Sequence, residues 1–207
     1  KEKRPEGTMP FCIGNTCPVC GSPAIRDEGT ADIRCQNPNC PAQLENHLLN
    51  FVSRTAMDIK GFGEPAIHRL IQQGYLTHIA DIYHLREHRD ALSAGGLIGK
   101  EKNTDKLLAA IEASKGNDPV QLVTGFGIPG IGRAAARELL RTFRAIPVLM
   151  KATEEEILAV RDMGEVSAKA ITRFFADEEN RREIADLAAQ GVRMEAEETA
   201  DGDDALA

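Results

Sequence analysis

Residues Gly127-Ile128-Pro129-Gly130-Ile131-Gly132, followed by Arg133-Ala134-Ala135-Ala136-Arg137-Glu138-Leu139-Leu140, set a glycine pair directly before a stretch with helical apolar spacing. The same setting recurs at Ile59-Lys60-Gly61-Phe62-Gly63, in blurred form at Gly95-Gly96-Leu97-Ile98-Gly99, and at Arg161-Asp162-Met163-Gly164. The last glycines of these four stretches, at 63, 99, 132 and 164, lie 36, 33 and 32 residues apart, which is an internal repeat. A short glycine turn that opens a helix exposes backbone N–H groups with no partner inside the helix, so its natural ligand is an anion. Four such turns in one chain predict a surface that holds a phosphate backbone.

Working outward from the turns, apolar residues recur with helical period. Leu44, Leu48, Phe51 and Val52 predict a helix entering the first turn, and Ile67, Leu70 and Ile71 one that leaves it behind Pro65 and stops at Gly74. Leu107, Leu108 and Ile111 mark the helix after the second turn, and Ala135, Leu139, Leu140 and Phe143 the one after the third. Val166, Ala170, Ile171, Phe174 and Phe175 mark the fourth, and a last helix is expected over 182–189 before Gly191. Ala134, Ala136 and Ala168 are small enough for helices to approach closely beside the turns. Each unit therefore reads as helix, glycine hairpin, helix, and because one unit cannot bury its own apolar face the units must stack. Tetratricopeptide repeats have a similar period, but their signature residues are missing and they do not require a G-x-G. Gly125-Phe126-Gly127-Ile128-Pro129-Gly130 matches a dinucleotide-binding pattern only in form, since proline interrupts it and no strand precedes it.

All five cysteines fall in the first forty residues, and four have metal spacing: Cys17-Pro18-Val19-Cys20, then Cys35 and Cys40. A four-cysteine zinc site needs two short chelating turns that turn their thiolates toward one tetrahedral centre, and both are present. Gly21 permits the tight turn after Cys20, and Ala24-Ile25-Arg26 and Ala31-Asp32-Ile33-Arg34 read as the strands of a small hairpin split by Glu28-Gly29. Two disulfides in a secreted domain are disfavoured by the clustering and by the lack of an apolar export segment. Four thiolates close the coordination sphere, so the metal is structural and not catalytic. Cys12 is read as a free thiol or small hydrophobe. His84 and His88 stand four apart on a possible helix but lack the intervening Glu of a metalloprotease, so they are read as ordinary histidines.

The formal net charge of −7 argues at first against a nucleic-acid partner. However, Glu195, Glu197, Glu198, Asp201, Asp203 and Asp204 all lie in the tail, and without them the remainder stands near −1. The tail reads as a disordered linker. The runs Glu154-Glu155-Glu156 and Asp177-Glu178-Glu179 sit at helix starts, where acids complement the dipole. No run of eighteen apolar residues spans a membrane. The chain opens on Lys1-Glu2-Lys3-Arg4 without methionine and is read as a piece of a longer protein.

Together with Cys-Pro-Val-Cys-Gly at 17–21, the stretch Asn46-His47-Leu48-Leu49-Asn50-Phe51-Val52-Ser53-Arg54-Thr55-Ala56-Met57-Asp58-Ile59 precedes the four units. This order resembles the C-terminal half of bacterial NAD⁺-dependent DNA ligase, and so do Leu108-Ala109-Ala110-Ile111-Glu112-Ala113-Ser114-Lys115 and Gly127–Gly132. The resemblance implies a mainly α fold of four helix-hairpin-helix units in a compact domain over 44–193, preceded by a four-cysteine zinc β-ribbon over 12–43. It further implies that 1–11 end an OB-fold or linker and that 194–207 lead to a BRCT domain. The parent would be a cytoplasmic bacterial enzyme that uses NAD⁺ and Mg²⁺ to seal nicks in duplex DNA during replication and repair. No Lys-x-Asp-Gly nucleophile motif occurs here, so this segment is expected to grip DNA and not to react.

The implied roles are zinc ligation by Cys17, Cys20, Cys35 and Cys40, and DNA contact by Lys60, Gly61, Gly63, Gly130, Gly132, Arg133, Gly164 and Lys169, with Arg137 and Arg173 nearby. Its other partners are the adenylation, OB and BRCT domains of the same chain. The chain departs from the family pattern in two units. Alignment through Leu107 places Ile98 and Lys100 at the glycine positions of the second hairpin, and Asp162 replaces the first glycine of the fourth. Hairpins one and three are therefore ranked first for phosphate. Other readings are a DNA-binding module of an excision or junction-processing protein, and a protein-interaction scaffold whose turns are structural only.

Overall fold

The short chelating turn at Cys17–Cys20 is closed by two backbone bonds, Cys17 N–H to Ser22 O at 2.8 Å and Gly21 N–H to Cys17 O at 3.0 Å, with Gly21 at φ +72° where a side chain would be strained. It belongs to a computed structural model that describes residues 14–26, 33–35, 37 and 40–196. The expectations for Cys12, for 1–11 and for the acidic stretch beyond Ala196 fall outside the described residues. The chain divides into two units, Lys1–Leu44 and Glu45–Ala207.

In the first unit β1 (Ala24–Arg26) pairs antiparallel with β2 (Ile33–Cys35), Ala24 opposite Cys35 and Arg26 opposite Ile33, as the sequence pattern predicts. A separate antiparallel bridge between Thr16 and Pro23 closes the base of the chelating turn. Helix α1 (Pro41–Val52) starts immediately after Cys40, whose carbonyl accepts the N–H groups of Gln43 and Leu44.

The second unit is helical. Helix α2 (Glu64–Gln72) follows the first hairpin with Pro65 in its first turn, where a missing N–H removes no bond. Three short pieces come next: α3 (Asp81–His84), a 3₁₀ turn over Leu85–His88, and α4 (Arg89–Ala94). Helix α5 (Glu101–Ser114) follows the second hairpin; α6 (Pro119–Gly125) and α7 (Arg133–Phe143) flank the third. Helices α8 (Ile146–Leu149) and α9 (Glu154–Leu158) lead to the fourth, after which come α10 (Glu165–Ala176) and α11 (Glu178–Ala189).

The core is made by the stripes read from the sequence: Leu48, Phe51, Ile67, Leu70, Leu107, Leu139, Leu140 and Ile171 are all at most 1% exposed. Gly125 lets α6 approach α1, since a Cβ there would lie 2.9 Å from the Phe51 ring. Three expectations are corrected. Val166, expected on the buried stripe of α10, is 84% exposed because it stands in the first turn beside the hairpin. Ala134 is exposed, and the close approach falls to Ala136 and Ala168, both fully buried. The last helix starts at Glu178 and not near 182, because Asp177 caps it through the N–H groups of Glu179 and Asn180. The chain also stays paired through Ala196: Met194 O accepts from Ile146 N–H, Ala145 bridges Glu195, and Ala196 N–H donates to Arg144 O.

Candidate functional site

The four cysteines predicted as ligands converge. Their sulfurs all lie within 4.8 Å of one another, with Cys17 to Cys40 at 3.8 Å and Cys20 to Cys35 at 3.4 Å. Tetrahedral zinc with Zn–S bonds of about 2.3 Å sets its sulfurs about 3.8 Å apart, so the donor set fits that metal. The surrounding turns favour thiolate. The hydroxyl and backbone N–H of Ser22 lower Cys20 to about 6, and the N–H groups of Cys20 and Val19 lower Cys17. Cys35 goes the other way, to about 12: the Asn37 N–H lowers it, but burial and the three neighbouring sulfurs outweigh that bond. Sulfurs at this spacing repel as anions, and a divalent cation removes that repulsion.

Hairpins one, three and four share one backbone scheme, which the second does not follow, since its left-handed residues are Gly96 and Gly99. The first turn position takes a left-handed φ, +86° at Gly61, +78° at Gly130 and +60° at Asp162, and two residues later an extended residue caps the next helix. That cap is Gly63 at φ −86°, Gly132 at −91° and Gly164 at −104°. In the second unit the cap is Lys100 at φ −73° and ψ 166°, the register that alignment through Leu107 predicts. Thus a residue with a side chain occupies the cap in one unit out of four. At Gly132 and Gly164 a Cβ would meet nothing within 4 Å, and at Gly63 only Pro65 Cδ at 3.8 Å. Backbone geometry favours glycine at the first position, where Asp162 carries the strain in the fourth unit, and makes no such demand at the second.

None of these four caps makes a side-chain hydrogen bond. By contrast, α6, α9 and α11 are capped by their own Asp118, Thr153 and Asp177, with Glu156 completing a capping box in α9. The first turns differ in charge: α2, α5 and α10 carry Glu64, Glu101 and Glu165, whereas α7 carries no acid and places Arg133 at its first position. A cation at a helix N-terminus opposes the dipole by about 0.3–1 kcal/mol. The third hairpin is therefore the most electropositive of the four.

Lys60, Gly61, Gly63, Gly130, Gly132, Arg133, Gly164 and Lys169 are all exposed. Gly130 lies beside α10, its Cβ position 3.9 Å from Ser167 Oγ, so the third and fourth hairpins are neighbours. Lys169 pairs with Glu165 at 3.8 Å and Arg161 with Asp162 at 3.6 Å, so part of the positive charge of the fourth unit is already met. His84 donates toward Asp186 and Glu87, and His88 meets the Tyr75 ring at a tilt, centroids 5.2 Å apart.

Two residues that hold the third hairpin in place had no assigned role in the sequence. His47 Nε2 lies 2.8 Å from Phe126 O, and Asn50 Nδ2 donates to Gly125 O at 3.1 Å. From α1 they satisfy carbonyls at the end of α6, where the chain turns into Gly127 at φ +65°.

Among the described residues no helix is long and apolar enough to cross a membrane. Residues 16–42 match the NAD-dependent DNA ligase C4 zinc finger domain, and residues 121–184, spanning the third and fourth hairpins, match a helix-hairpin-helix motif. A DNA ligase of Clostridium kluyveri is 41% identical over 174 residues, 84% of this chain and 26% of the relative. One of Brevibacillus brevis is 41% identical over 194 residues, covering 94% and 29%, and one of Acetivibrio thermocellus 40% over 191 residues, covering 92% and 29%. The chain thus spans less than a third of the length of these relatives. It is a segment of the NAD-dependent DNA ligase family, carrying that family's four-cysteine zinc-finger domain and a helix-hairpin-helix region.

Proposed function

We propose that this segment grips duplex DNA by its phosphate backbone, without reading sequence, for an enzyme that seals nicks. The observation that carries this reading is the second glycine of hairpins one, three and four. Its φ is ordinary, its Cβ position is open, and Lys100 fills the same place in the second unit. Glycine there answers to no internal constraint, so what it leaves room for is outside the fold: an anion brought against the uncapped N–H groups. Gly130 and Gly132 with Arg133, and Gly61 and Gly63 with Lys60, are the principal contacts. Gly164 and Lys169 contribute less, since Asp162 and Glu165 share their surface. Phosphate contacts position the duplex and leave base edges unread.

Zinc, held by Cys17, Cys20, Cys35 and Cys40, would cross-link the ribbon and take no part in the reaction. Adenylate transfer from NAD⁺, with Mg²⁺, belongs to the whole enzyme, whose adenylation, OB and BRCT domains are this segment's partners. The test is titration of labelled duplex and nicked duplex with the 207-residue chain at several salt concentrations. Affinity should be sequence-tolerant and fall steeply with salt, and no AMP adduct should form with NAD⁺. Salt-independent or absent binding would leave a scaffold with structural turns. For the metal, Cys17→Ser or Cys35→Ser should release about one zinc per chain; protein purified without chelator and lacking zinc would refute the assignment.

A further inference from the structure

Arginine recurs every fourth residue along α7. Arg133, Arg137 and Arg141 are all exposed, while Ala136, Leu139 and Leu140 supply the buried face. At about 100° per residue the three arginines fall within an arc of roughly 80° on one flank. At about 1.5 Å per residue the line runs about 12 Å from the Gly132 turn toward the end of the helix. Among the described residues the side chains of Arg133 and Arg137 have no hydrogen-bond or ion-pair partner, and Arg141 has only Glu138, at 3.8 Å. Exposed pairs of that kind are weak, about 0.2–0.5 kcal/mol, and yield readily to a better anion. The chain has 32 acids against 25 lysines and arginines, yet among the described residues one acid, Glu138, meets this line.

Side chains of like charge in a row, in a chain with acids to spare, are disfavoured unless a polyanion lies along them. The line also starts at the most electropositive hairpin and continues it without interruption. We infer that α7 is a phosphate track: the strand held at Gly130 and Gly132 continues along the helix, and Arg137 and Arg141 neutralise phosphates beyond the one at the turn. This rests on the proposed DNA grip and extends its footprint from the hairpin amides to a helix flank.

The experiment measures log K against log salt for the full chain and a labelled duplex, comparing wild type with the R137A/R141A and R137K/R141K double variants and with R181A on α11, where the side chain is likewise exposed and, among the described residues, without a partner. Each lost phosphate contact reduces the slope by about 0.9. The alanine double variant should lose about 1.8 of slope, so that between about 50 and about 200 mM salt its affinity falls about twelvefold less than that of wild type. The lysine pair should keep most of the slope, because a phosphate accepts either cation, and R181A should match wild type. If wild type binds with a steep slope and G132D weakens it, but R137A/R141A keeps the full slope, the track is refuted and the hairpin reading stands. An equal loss in R181A would also refute it, because position would then not matter. No salt-dependent binding by wild type would remove the DNA reading itself.

Discussion

Gly132→Asp separates a structural glycine from one kept clear for a ligand. Gly132 has φ −91° and ψ −175°, which any residue adopts, and nothing lies within 4 Å of its Cβ position. Aspartate is among the better N-caps and exceeds glycine there by a few tenths of a kcal/mol. Replacing glycine also removes unfolded-state entropy worth about 0.4–1 kcal/mol. Folding stability should therefore hold or rise by up to about 1 kcal/mol. Binding should move oppositely, since the new carboxylate takes the amides offered to phosphate and sits about 4 Å from it. Like charges at that distance repel by about 1 kcal/mol in water and about 4 kcal/mol near a protein surface, a loss between about fivefold and several-hundred-fold. Urea unfolding followed by circular dichroism gives the first quantity and fluorescence anisotropy with a short duplex gives the second. A variant destabilised by more than about 1 kcal/mol, or one that binds DNA like wild type, would refute the reasoning.

Other outcomes follow from the same geometry. Asp162→Gly relieves a left-handed residue at φ +60°, worth about 1 kcal/mol, but frees the unfolded chain by about 0.4–1 kcal/mol, so urea unfolding should show a change below about 1 kcal/mol; it also removes a carboxylate from the fourth hairpin, so duplex binding should tighten, and a looser complex would contradict the phosphate role given to that unit. His84 is raised from 6.5 by hydrogen bonds to Glu87 and Asp186, against a smaller effect of burial. Its contribution is complete below about pH 6.5 and is lost as pH rises through the higher folded value, so the stability gap between wild type and His84→Ala should be wider at pH 5.5 than at pH 8. A gap that is equal at both pH values would remove His84 from the coupling.

Much of this architecture is legible in the sequence because each hairpin joins a glycine pair to a 3.6-residue apolar period, and both signals are local. In the second unit the glycines mislead by one residue: spacing groups Gly99 with Gly63, Gly132 and Gly164, and only the alignment through Leu107 places Lys100 at the cap. What escaped was non-local or short. The pieces α3 and α4 are too brief to show a period; α3 is held by Phe51 against Tyr83 and by the Tyr83 hydroxyl against Ser114 Oγ at 3.1 Å, and α4 by buried Leu92 and by Arg89 on Asp105. His47 and Asn50 bond carbonyls more than seventy residues away, and no spacing rule reports such a pair. Val166 misled because helical period alone does not distinguish the first turn of α10, which faces the hairpin, from its buried middle. The cysteine cluster was legible from spacing, but the left-handed φ of Asp162 was not, since the glycine expected there is absent.

The start of α3 has no cap of its own. Its N–H groups at Ile79 and Ala80 donate to Glu183 Oε1 of α11, 104 and 103 residues later, and His78 and His84 meet Glu179 and Asp186 on the same face. A chain growing from its N-terminus thus finishes the second hairpin's approach only after the last helix has been made. Contacts so distant in sequence carry a large loop-closure cost, so the start of α3 takes its order from α11 and not from its own neighbours.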